Sequence, residues 1–408
     1  MERLNQRFWR AGRISVFGLL ILAVWVSGCS HAKVRMKRDV DQEMRGVWVT
    51  TAWGLDYPAE PSVSAEELRR QADEILDGAD EYGFNTVFLQ VRPCSDALYK
   101  SDIYPWSKYL TGQYGAAPDS DFDPLAYWVE EAHERGLELH AWINPYQATR
   151  SENELENLAD RSPAVLHPEW LIEYGGRYYF DPALPEVRQM VIDGAVELVE
   201  HYDIDGIHMD DYFYPGSEVG DAASYAAYGA DFPDIGDWRR ENTNLLVQGM
   251  DEAVHRADPG IEFGISPTAI WANKTMHPEG SENTTGFSSY FEIYADSKKW
   301  VESGWVDYIA PQLYWRAGDA EHDFTSLLAW WSDLVAGTDG DVELYVGLAD
   351  SKAADAEADS PWYEGKEIAA QMKSCKENVQ VGGTIHFRYS FIRDIPALQE
   401  ILQEAWSD

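Results

Sequence analysis

Cysteine is scarce in this chain of 408 residues, in which only Cys29, Cys94 and Cys375 occur. No cysteine and histidine spacing typical of a zinc site is present. Cys94 and Cys375 could pair in an oxidising compartment, but a domain of this size does not need a disulfide to be stable. We therefore expect both to be free thiols.

Basic residues are also few. Lys and Arg number 32 against 71 Asp and Glu, which gives a formal net charge of −39. Proteins that bind nucleic acids or anionic lipid headgroups use basic surfaces to neutralise phosphates, so this composition argues against both partners. We expect a solvated acidic surface. The alternative is attraction of a cationic substrate such as a deacetylated amino sugar.

One long apolar run is present, from Ile14 to Val26, and it is short for a transmembrane helix. Four arginines precede this run, and Ser27 and Gly28 separate it from Cys29. This order predicts a signal peptide over residues 1–28. The small residues before Cys29 resemble the bacterial lipobox, which implies that Cys29 is lipidated. An uncleaved N-terminal membrane anchor is the alternative.

The residues after Cys29 complete the predicted organisation. Residues 29–42 are polar and charged and are interpreted as a tether, followed by a domain over residues 43–408. Lipid chains would then hold the domain at a membrane, outside the cytoplasm. Ser30 does not resemble an inner-membrane retention signal, so an outer-membrane location fits a cell with two membranes. We expect a monomeric protein of the cell envelope.

Eight short β-rich runs follow residue 43, each with an amphipathic helical stretch after it. Repeated strand–helix alternation indicates a parallel sheet, and eight such units close into a barrel. The sequence therefore predicts an α/β protein with a (β/α)8 TIM barrel. The predicted strands are Gly46–Ala52, Thr86–Arg92, Leu137–Asn144, Ile204–Asp210, Glu262–Pro267, Val306–Tyr314, Glu343–Leu348 and Thr384–Arg388. The clearest predicted helices are Pro124–Gly136, Pro185–Tyr202, Trp238–Ala257 and Tyr290–Gly304, with another opening on a capping box at Ser64–Glu67.

The longest connections run from strand to helix, at Cys94–Asp123, Tyr146–Leu184 and Phe213–Asp237. Returns from helix to strand are short, such as Glu81–Gly83. In a barrel, all strand-to-helix loops lie at the C-terminal mouth, where active sites form. We therefore expect the functional site at that mouth.

Alternation along the strands predicts which side chains point into the barrel. In the fourth strand, Ile207 and Met209 should face the helices, while Gly206, His208 and Asp210 point inward. A buried polar group without a partner costs about 1–3 kcal/mol, so a large inward polar set indicates a pocket rather than a structural core. The inward polar positions found in this way are Gln90, Arg92, His140, Asn144, His208, Asp210, Gln312, Tyr314, His386 and Arg388.

Aromatic residues gather near the predicted strand ends, and flat aromatic faces suit pyranose rings. Combined with the inward polar positions, they define a predicted substrate-binding set. Its members are Arg92, His140, Trp142, Asn144, His208, Tyr212, Gln312, Tyr314, Trp315 and Arg388.

Of the predicted inward strand positions, only Asp210 carries a carboxylate. Glycoside hydrolysis normally uses two carboxylates, so a partner for Asp210 should come from a loop. Alternatively, an N-acetyl group of the substrate attacks and a carboxylate only orients it. The candidate partners are Asp56, Asp96, Asp211, Asp296 and Asp350, of which we favour Asp211 and Asp296.

The chain carries a series of long motifs, at Met44–Trp48, Gln90–Pro93, Asp96–Tyr99, Gly136–Tyr146, His167–Trp170, Asp205–Pro215, Tyr294–Trp300 and Asp307–Trp315. These motifs resemble the bacterial glycosyl hydrolase-like 10 family. They extend from about Arg45 to Leu348, most of the chain beyond residue 43. The resemblance implies a barrel hydrolase of the cell envelope, with peptidoglycan glycan strands as its substrate.

Three hypotheses follow. The first is a glycoside hydrolase in which Asp210 is essential and no cofactor or metal is needed. The second is a non-catalytic carbohydrate-binding lipoprotein on a degenerate barrel, suggested by the absence of a second inward carboxylate. The third is a metal-dependent hydrolase using His140, His208 and Asp210, which the lack of a His-x-His pair disfavours.

Overall fold

The eight-stranded parallel barrel predicted from the sequence is confirmed. The computed structural model describes residues 42–407 except 339 and 355, and its barrel strands are hydrogen-bonded in the closed order β1-β2-β3-β6-β7-β8-β9-β10. A separate antiparallel hairpin, β4–β5, lies outside this order. The strands are β1 Met44–Val49, β2 Thr86–Arg92, β3 Glu138–Ile143, β4 Leu171–Tyr174, β5 Arg177–Phe180, β6 Gly206–Met209, β7 Glu262–Ile265, β8 Tyr308–Ile309, β9 Glu343–Leu348 and β10 Val381–His386.

Helices follow the barrel strands, and their first turns show why they begin where they do. The hydroxyl of Ser64 accepts a hydrogen bond from the backbone N–H of Glu67, as the capping box predicts. Asp123 caps the helix that starts at Pro124 in the same way. The helices are α1 Ala65–Glu81, α2 Lys108–Thr111, α3 Pro124–Glu134, α4 Pro163–Leu166, α5 Pro185–His201, α6 Ala222–Tyr228, α7 Ile235–Ala257, α8 Ser289–Glu292, α9 Ser297–Glu302, α10 Phe324–Ala336, α11 Ser351–Ala354, α12 Lys366–Lys376, α13 Tyr389–Asp394 and α14 Pro396–Ala405.

The long loop after β3 contains the β4–β5 hairpin, which the sequence analysis did not predict. Gly175 and Gly176 form its two-residue turn, with φ of 59° and 73°. A two-residue hairpin of this kind needs positive φ at both turn positions, which glycine adopts without strain. The backbone N–H of Phe180 bonds to the carbonyl of Tyr146, so the hairpin is joined to the start of the same loop.

The barrel interior is packed with large side chains opposite glycines. An apolar cluster fills it, formed by Met44, Trp48, Phe88, Trp142, Tyr308, Ala310, Tyr345 and Ile385. A Cβ on Gly264 would lie 2.1 Å from the ring of Tyr308, and one on Gly206 would lie 2.3 Å from Nδ1 of His140. Glycine at these positions therefore makes room for neighbouring rings across the barrel.

We expect Gly206→Ala to lower the free energy of unfolding by about 1–3 kcal/mol, because the added methyl group collides with a ring that cannot move away. The ring of His140 is buried and in contact with Phe88 and Tyr308. Gly220→Ala is the control, since its added Cβ would meet no atom closer than 4.0 Å. Denaturant unfolding of the three proteins measures the effect, and equal midpoints for Gly206→Ala and wild type would contradict it.

Three of the predicted inward orientations are wrong, those of Arg92, His386 and Arg388, and a register shift explains the first two. Between β2 and β3 the register shifts at Gln90/Arg92, so Arg92 pairs with the outward residue Ile143. The Arg92 guanidinium consequently lies outside the barrel, 4.5 Å from the ring of Tyr104. Such bulges insert one residue and reverse the alternation that follows.

The second wrong orientation is that of His386 in β10. A register shift between Val381 and Gly383 leaves Ile385 inside the barrel and turns His386 outward. There His386 bonds to both carboxylate oxygens of Asp350 at 3.0 and 3.1 Å, and both side chains are fully buried.

Cys94 and Cys375 are buried and unpaired, as expected, and burial raises the pKa of each thiol to about 12.

Among the residues that the structure describes, no helix is both long and apolar enough to cross a membrane. The predicted signal peptide over residues 1–28 and the lipidation site at Cys29 lie outside the described residues.

Candidate active site

A cavity of about 260 Å³ opens at the C-terminal mouth of the barrel. Residues from strand ends and from the loops that follow them form its walls, as the loop lengths predicted. The lining residues are Trp48, Thr50, Ala52, Trp53, Leu55, Gln90, Trp142, Arg150, Asp210, Asp211, Tyr212, Ser266, Gln312, Tyr314 and Phe387. We call this space the mouth cavity.

Asp210 follows β6 directly and lies at the base of the mouth cavity. Its side chain is only 3 % exposed. The indole N–H of Trp142 donates to Oδ2 at 3.1 Å, and the backbone N–H of Tyr212 donates to Oδ1 at 3.4 Å. Burial raises the pKa of Asp210 well above its usual range, and the neighbouring carboxylate of Asp211 raises it further.

Asp211 lies next to Asp210 in the loop and is half-buried in the same cavity. Burial raises its pKa to about 6, against the opposing effect of a hydrogen bond from the side chain of Gln312. The Gln312 amide is itself held in place, because Nε2 donates to the carbonyl of Ser266 at 2.9 Å. Two of the residues that line the mouth cavity carry a carboxylate, namely Asp210 and Asp211.

The two acids titrate as a coupled pair, because two buried carboxylates side by side resist being ionised together. Burial raises the pKa of Asp210, the more deeply buried of the two, well above its usual range, and it raises the pKa of Asp211 to about 6. Two carboxyl groups whose pKa values are shifted unequally can supply one carboxylic acid and one carboxylate at the same pH. This is the combination that glycoside hydrolysis uses.

Arg150 is a cavity residue that the sequence analysis missed. It follows β3, and its Nη2 donates to the carbonyl of Pro93 at 3.2 Å. Its positive charge opposes the rise in the pKa of Asp210. Arg150 stands in a loop without strand alternation, so no periodic signal indicated where it points.

Aromatic side chains form much of the cavity wall. Trp53 and Tyr212 are 59 % and 47 % exposed. Tyr314 and Phe387 face each other with ring centroids 6.0 Å apart. Exposed aromatic faces beside a polar cavity are suited to contact with sugar rings.

A second cavity of about 350 Å³ adjoins the first and shares Asp211 and Tyr212 with it. The β4–β5 hairpin forms one of its walls, and Phe287 and Ile293 contribute another. We call it the hairpin cavity. It is lined by Tyr174, Gly175, Arg177, Tyr179, Asp211, Tyr212, Phe213, Tyr214, Pro215, Phe287 and Ile293.

Of the predicted substrate-binding residues, Trp142, Tyr212, Gln312 and Tyr314 line the mouth cavity together with both acids. The other predicted members do not line either cavity. They are Arg92, His140, Asn144, His208, Trp315 and Arg388.

His140 and His208 point into the barrel as predicted, but they lie below the mouth cavity. Both rings hydrogen-bond through Nδ1 to the hydroxyl of Tyr308 at 3.0 Å. Nε2 of His208 lies 3.0 Å from the hydroxyl of Ser266, and burial lowers the pKa of His208 to about 3. Within residues 42–407, leaving out 339 and 355, no group of three or more His, Cys, Asp or Glu is arranged to hold a metal ion.

Asn144, Trp315 and Arg388 have structural contacts. Oδ1 of Asn144 accepts from the backbone N–H of Gln147 at 3.3 Å, and the ring of Trp315 stacks on His322. Arg388 was predicted to point inward, but it forms an ion pair with Asp56 at 2.7 Å. The preceding residue, Phe387, occupies the inward position and lines the mouth cavity. These contacts explain why the three side chains do not reach the cavity.

Asp296, one of the two favoured partners of Asp210, lies outside the mouth cavity. It is the N-cap of α9, and its Oδ1 accepts from the indole N–H of Trp271 at 2.9 Å. Asp350 is bonded to His386, as described above. Asp96 is buried among other residues, and burial raises its pKa to about 6. Asp211 is therefore the loop candidate that the fold brings to Asp210.

Comparison with known proteins identifies the family. The sequence profile of glycosyl hydrolase-like 10 matches residues 43–364. The chain belongs to this family. It is 40 % identical to the glycosyl hydrolase YngK of Bacillus subtilis over 352 residues, which cover 85 % of this chain and 68 % of YngK. It is 36 % identical to the glycosyl hydrolase DigH of Escherichia coli over 389 residues, which cover 90 % of this chain and 88 % of DigH.

Solved structures support the fold of this family member. The glycoside hydrolase domain of PgaB from Bordetella bronchiseptica superposes with a TM-score of 0.57 at 14 % identity, covering 88 % of this chain and 99 % of that domain. An α-L-fucosidase from Paenibacillus thiaminolyticus gives a TM-score of 0.54 at 14 % identity, covering 90 % of this chain and 50 % of the fucosidase. At such identities the likeness extends to the barrel fold alone.

Proposed function

We propose that this protein is a glycoside hydrolase that cleaves a cell-envelope polysaccharide, and that the polysaccharide is the glycan strand of peptidoglycan. The observation that carries the proposal is the pair Asp210 and Asp211 at the base of an aromatic-walled cavity. The names of the relatives YngK and DigH agree with the hydrolase class. The lipobox-like sequence at Cys29 would tether the enzyme beside the cell wall, where this polymer is the nearest substrate.

In the proposed reaction, the protonated carboxyl of Asp210 donates its proton to the oxygen of the leaving sugar. The carboxylate of Asp211 acts at the anomeric carbon. It attacks that carbon itself, activates a water molecule that attacks it, or orients an N-acetyl group of the substrate that attacks it instead. Trp142 keeps the Asp210 carboxyl in place through its indole N–H. Exclusion of bulk water from the deeply buried acid maintains its raised pKa.

The decisive experiment incubates the protein with purified peptide-free glycan strands and analyses the soluble products by mass spectrometry and reducing-end assay. We expect shorter glycans with one new reducing end for each bond cleaved. Tight binding without new reducing ends would reject the hydrolase proposal and favour a carbohydrate-binding lipoprotein. The polymer is tested alongside chitin oligosaccharides and an α-glucan, which separates the substrate class from the reaction class.

We expect Trp53→Ala to raise KM about tenfold with little change in kcat, because stacking on a sugar ring holds the substrate without touching the scissile bond. A tenfold change corresponds to about 1.4 kcal/mol of binding free energy. Tyr228→Ala is the matched control, since Tyr228 is also exposed, at 52 %, but lines neither cavity. Steady-state kinetics of both variants test this role of Trp53. A KM of Trp53→Ala equal to that of wild type would show that Trp53 is not part of the substrate-binding surface.

A further inference from the structure

The hairpin cavity adjoins the mouth cavity, and Asp211 and Tyr212 line both spaces. Its volume of about 350 Å³ is within the usual range for small-molecule sites. A polymer whose scissile bond lies at the acids would therefore extend into both cavities. The two spaces together can accept sugars on either side of an internal bond.

The floor of the hairpin cavity is rigidly supported. Tyr179 and Tyr214, which line it, pack in an apolar cluster with Tyr294. The hydroxyl of Tyr294 accepts a hydrogen bond from Arg239 at 2.9 Å, and Arg239 forms a buried ion pair with Asp221 at 2.7 Å. A buried ion pair with two parallel N–H···O bonds fixes the orientation of its partners. These contacts hold Tyr179 and Tyr214 in place in the cavity wall.

The rim of the hairpin cavity carries a positive charge from Arg177, the first residue of β5. Its side chain is exposed, and among the described residues no carboxylate forms an ion pair with it. Phe287, 51 % exposed, and Tyr212, 47 % exposed, line the same cavity. In a protein with 71 acidic and 32 basic residues, an arginine free of acidic partners beside aromatic faces is complementary to a sugar that bears an anion.

We propose that the hairpin cavity binds a carboxylate-bearing sugar residue adjacent to the cleaved bond, with Arg177 pairing with its carboxylate. The aromatic side chains of Tyr212 and Phe287 contact the sugar ring. This inference rests on the proposed glycoside hydrolase function and makes Arg177 a specificity-determining residue of the same site. The N-acetylmuramic acid residues of peptide-free glycan strands carry such a carboxylate on their lactyl groups.

The test measures binding without turnover, by calorimetry on proteins that all carry Asp210→Asn. The probes are a peptide-free peptidoglycan tetrasaccharide and the same tetrasaccharide with its carboxyl groups reduced to alcohols. We expect Arg177→Gln to weaken binding of the first probe about tenfold and to leave binding of the second unchanged. Arg161→Gln is the matched control, because Arg161 is an exposed arginine of the same long loop and lines neither cavity.

Equal affinity of the Asp210→Asn protein and the Asp210→Asn, Arg177→Gln double variant for the acidic probe would overturn the inference. An equal loss of affinity for both probes would also overturn it. The second outcome would mean that Arg177 shapes the cavity without recognising charge. Failure of the hydrolase proposal has a different signature, since the protein with Asp210 intact would then bind the acidic probe in an Arg177-dependent way without cleaving it. The two proposals are therefore separable in one set of proteins.

Discussion

Asp210→Asn is expected to lower kcat on peptide-free glycan strands by about 10²–10⁴-fold, the usual contribution of a general acid. Asparagine keeps the shape of the side chain and can still accept the Trp142 hydrogen bond, but it has no proton to give to the leaving oxygen. The variant should also fold at least as well as wild type. The folded-state pKa of Asp210 is raised, so ionising its carboxyl costs stability as pH rises, and asparagine avoids that cost.

Asp296→Asn is the matched control for this experiment. Asp296 is likewise an aspartate with a pKa raised by burial, and it likewise accepts a hydrogen bond from a tryptophan indole. It lies outside the mouth cavity, and asparagine is as good an N-cap for α9 as aspartate. Activity within about twofold of wild type is expected. A loss as large as that of Asp210→Asn would place Asp296 back among the reacting groups.

The barrel could be predicted from the sequence because the same strand–helix pattern occurs eight times. Eight β-rich runs with helices between them allow few architectures, and errors of one or two residues at strand ends do not change the count. Asp210 could be predicted for a related reason. β6 is regular, so Ile207 and Met209 facing the helices place Asp210 on the inward side.

Arg92 and His386 were placed wrongly because the strands that carry them are irregular. A single extra residue in β2 and another in β10 reverse every orientation that follows, and side-chain pattern alone does not show where such a residue is inserted. In β10 a signal was present. Gly382 and Gly383 stand together within a strand, and glycine inside a strand often marks a bulge.

The loop residues of the site were the hardest to predict. Loops have no period, so nothing in the sequence indicated that Arg150 faces the acids or that Asp296 does not. The β4–β5 hairpin did leave a local signal: Gly175 and Gly176 stand between two short stretches of mostly aliphatic and aromatic residues, Leu171–Tyr174 and Arg177–Phe180, which is the pattern of a tight hairpin turn. Recognition of that turn would have indicated a wall beside the mouth, with Arg177 on it.

The pH dependence of kcat/KM is expected to show an acidic limb near pH 6, with activity falling about tenfold per unit below it. Asp211 must be a carboxylate to act, and its pKa is raised to about 6. As pH falls through that value, Asp211 takes up a proton and the active form of the pair is lost. We expect Asp210 to remain the acid across this range, because burial raises its pKa well above its usual range.

Gln312→Ala should move this acidic limb to higher pH. The amide of Gln312 stabilises the ionised form of Asp211 through a hydrogen bond, and its removal raises the pKa of Asp211 further. Gln399→Ala is the control, because Gln399 also donates its amide to backbone carbonyls but lies on α14, away from the cavity. A limb that stays in place in Gln312→Ala would show that Asp211 is not the group titrating near pH 6. A limb that moves would assign that titration to Asp211, and with it the proton arrangement on which the proposed reaction depends.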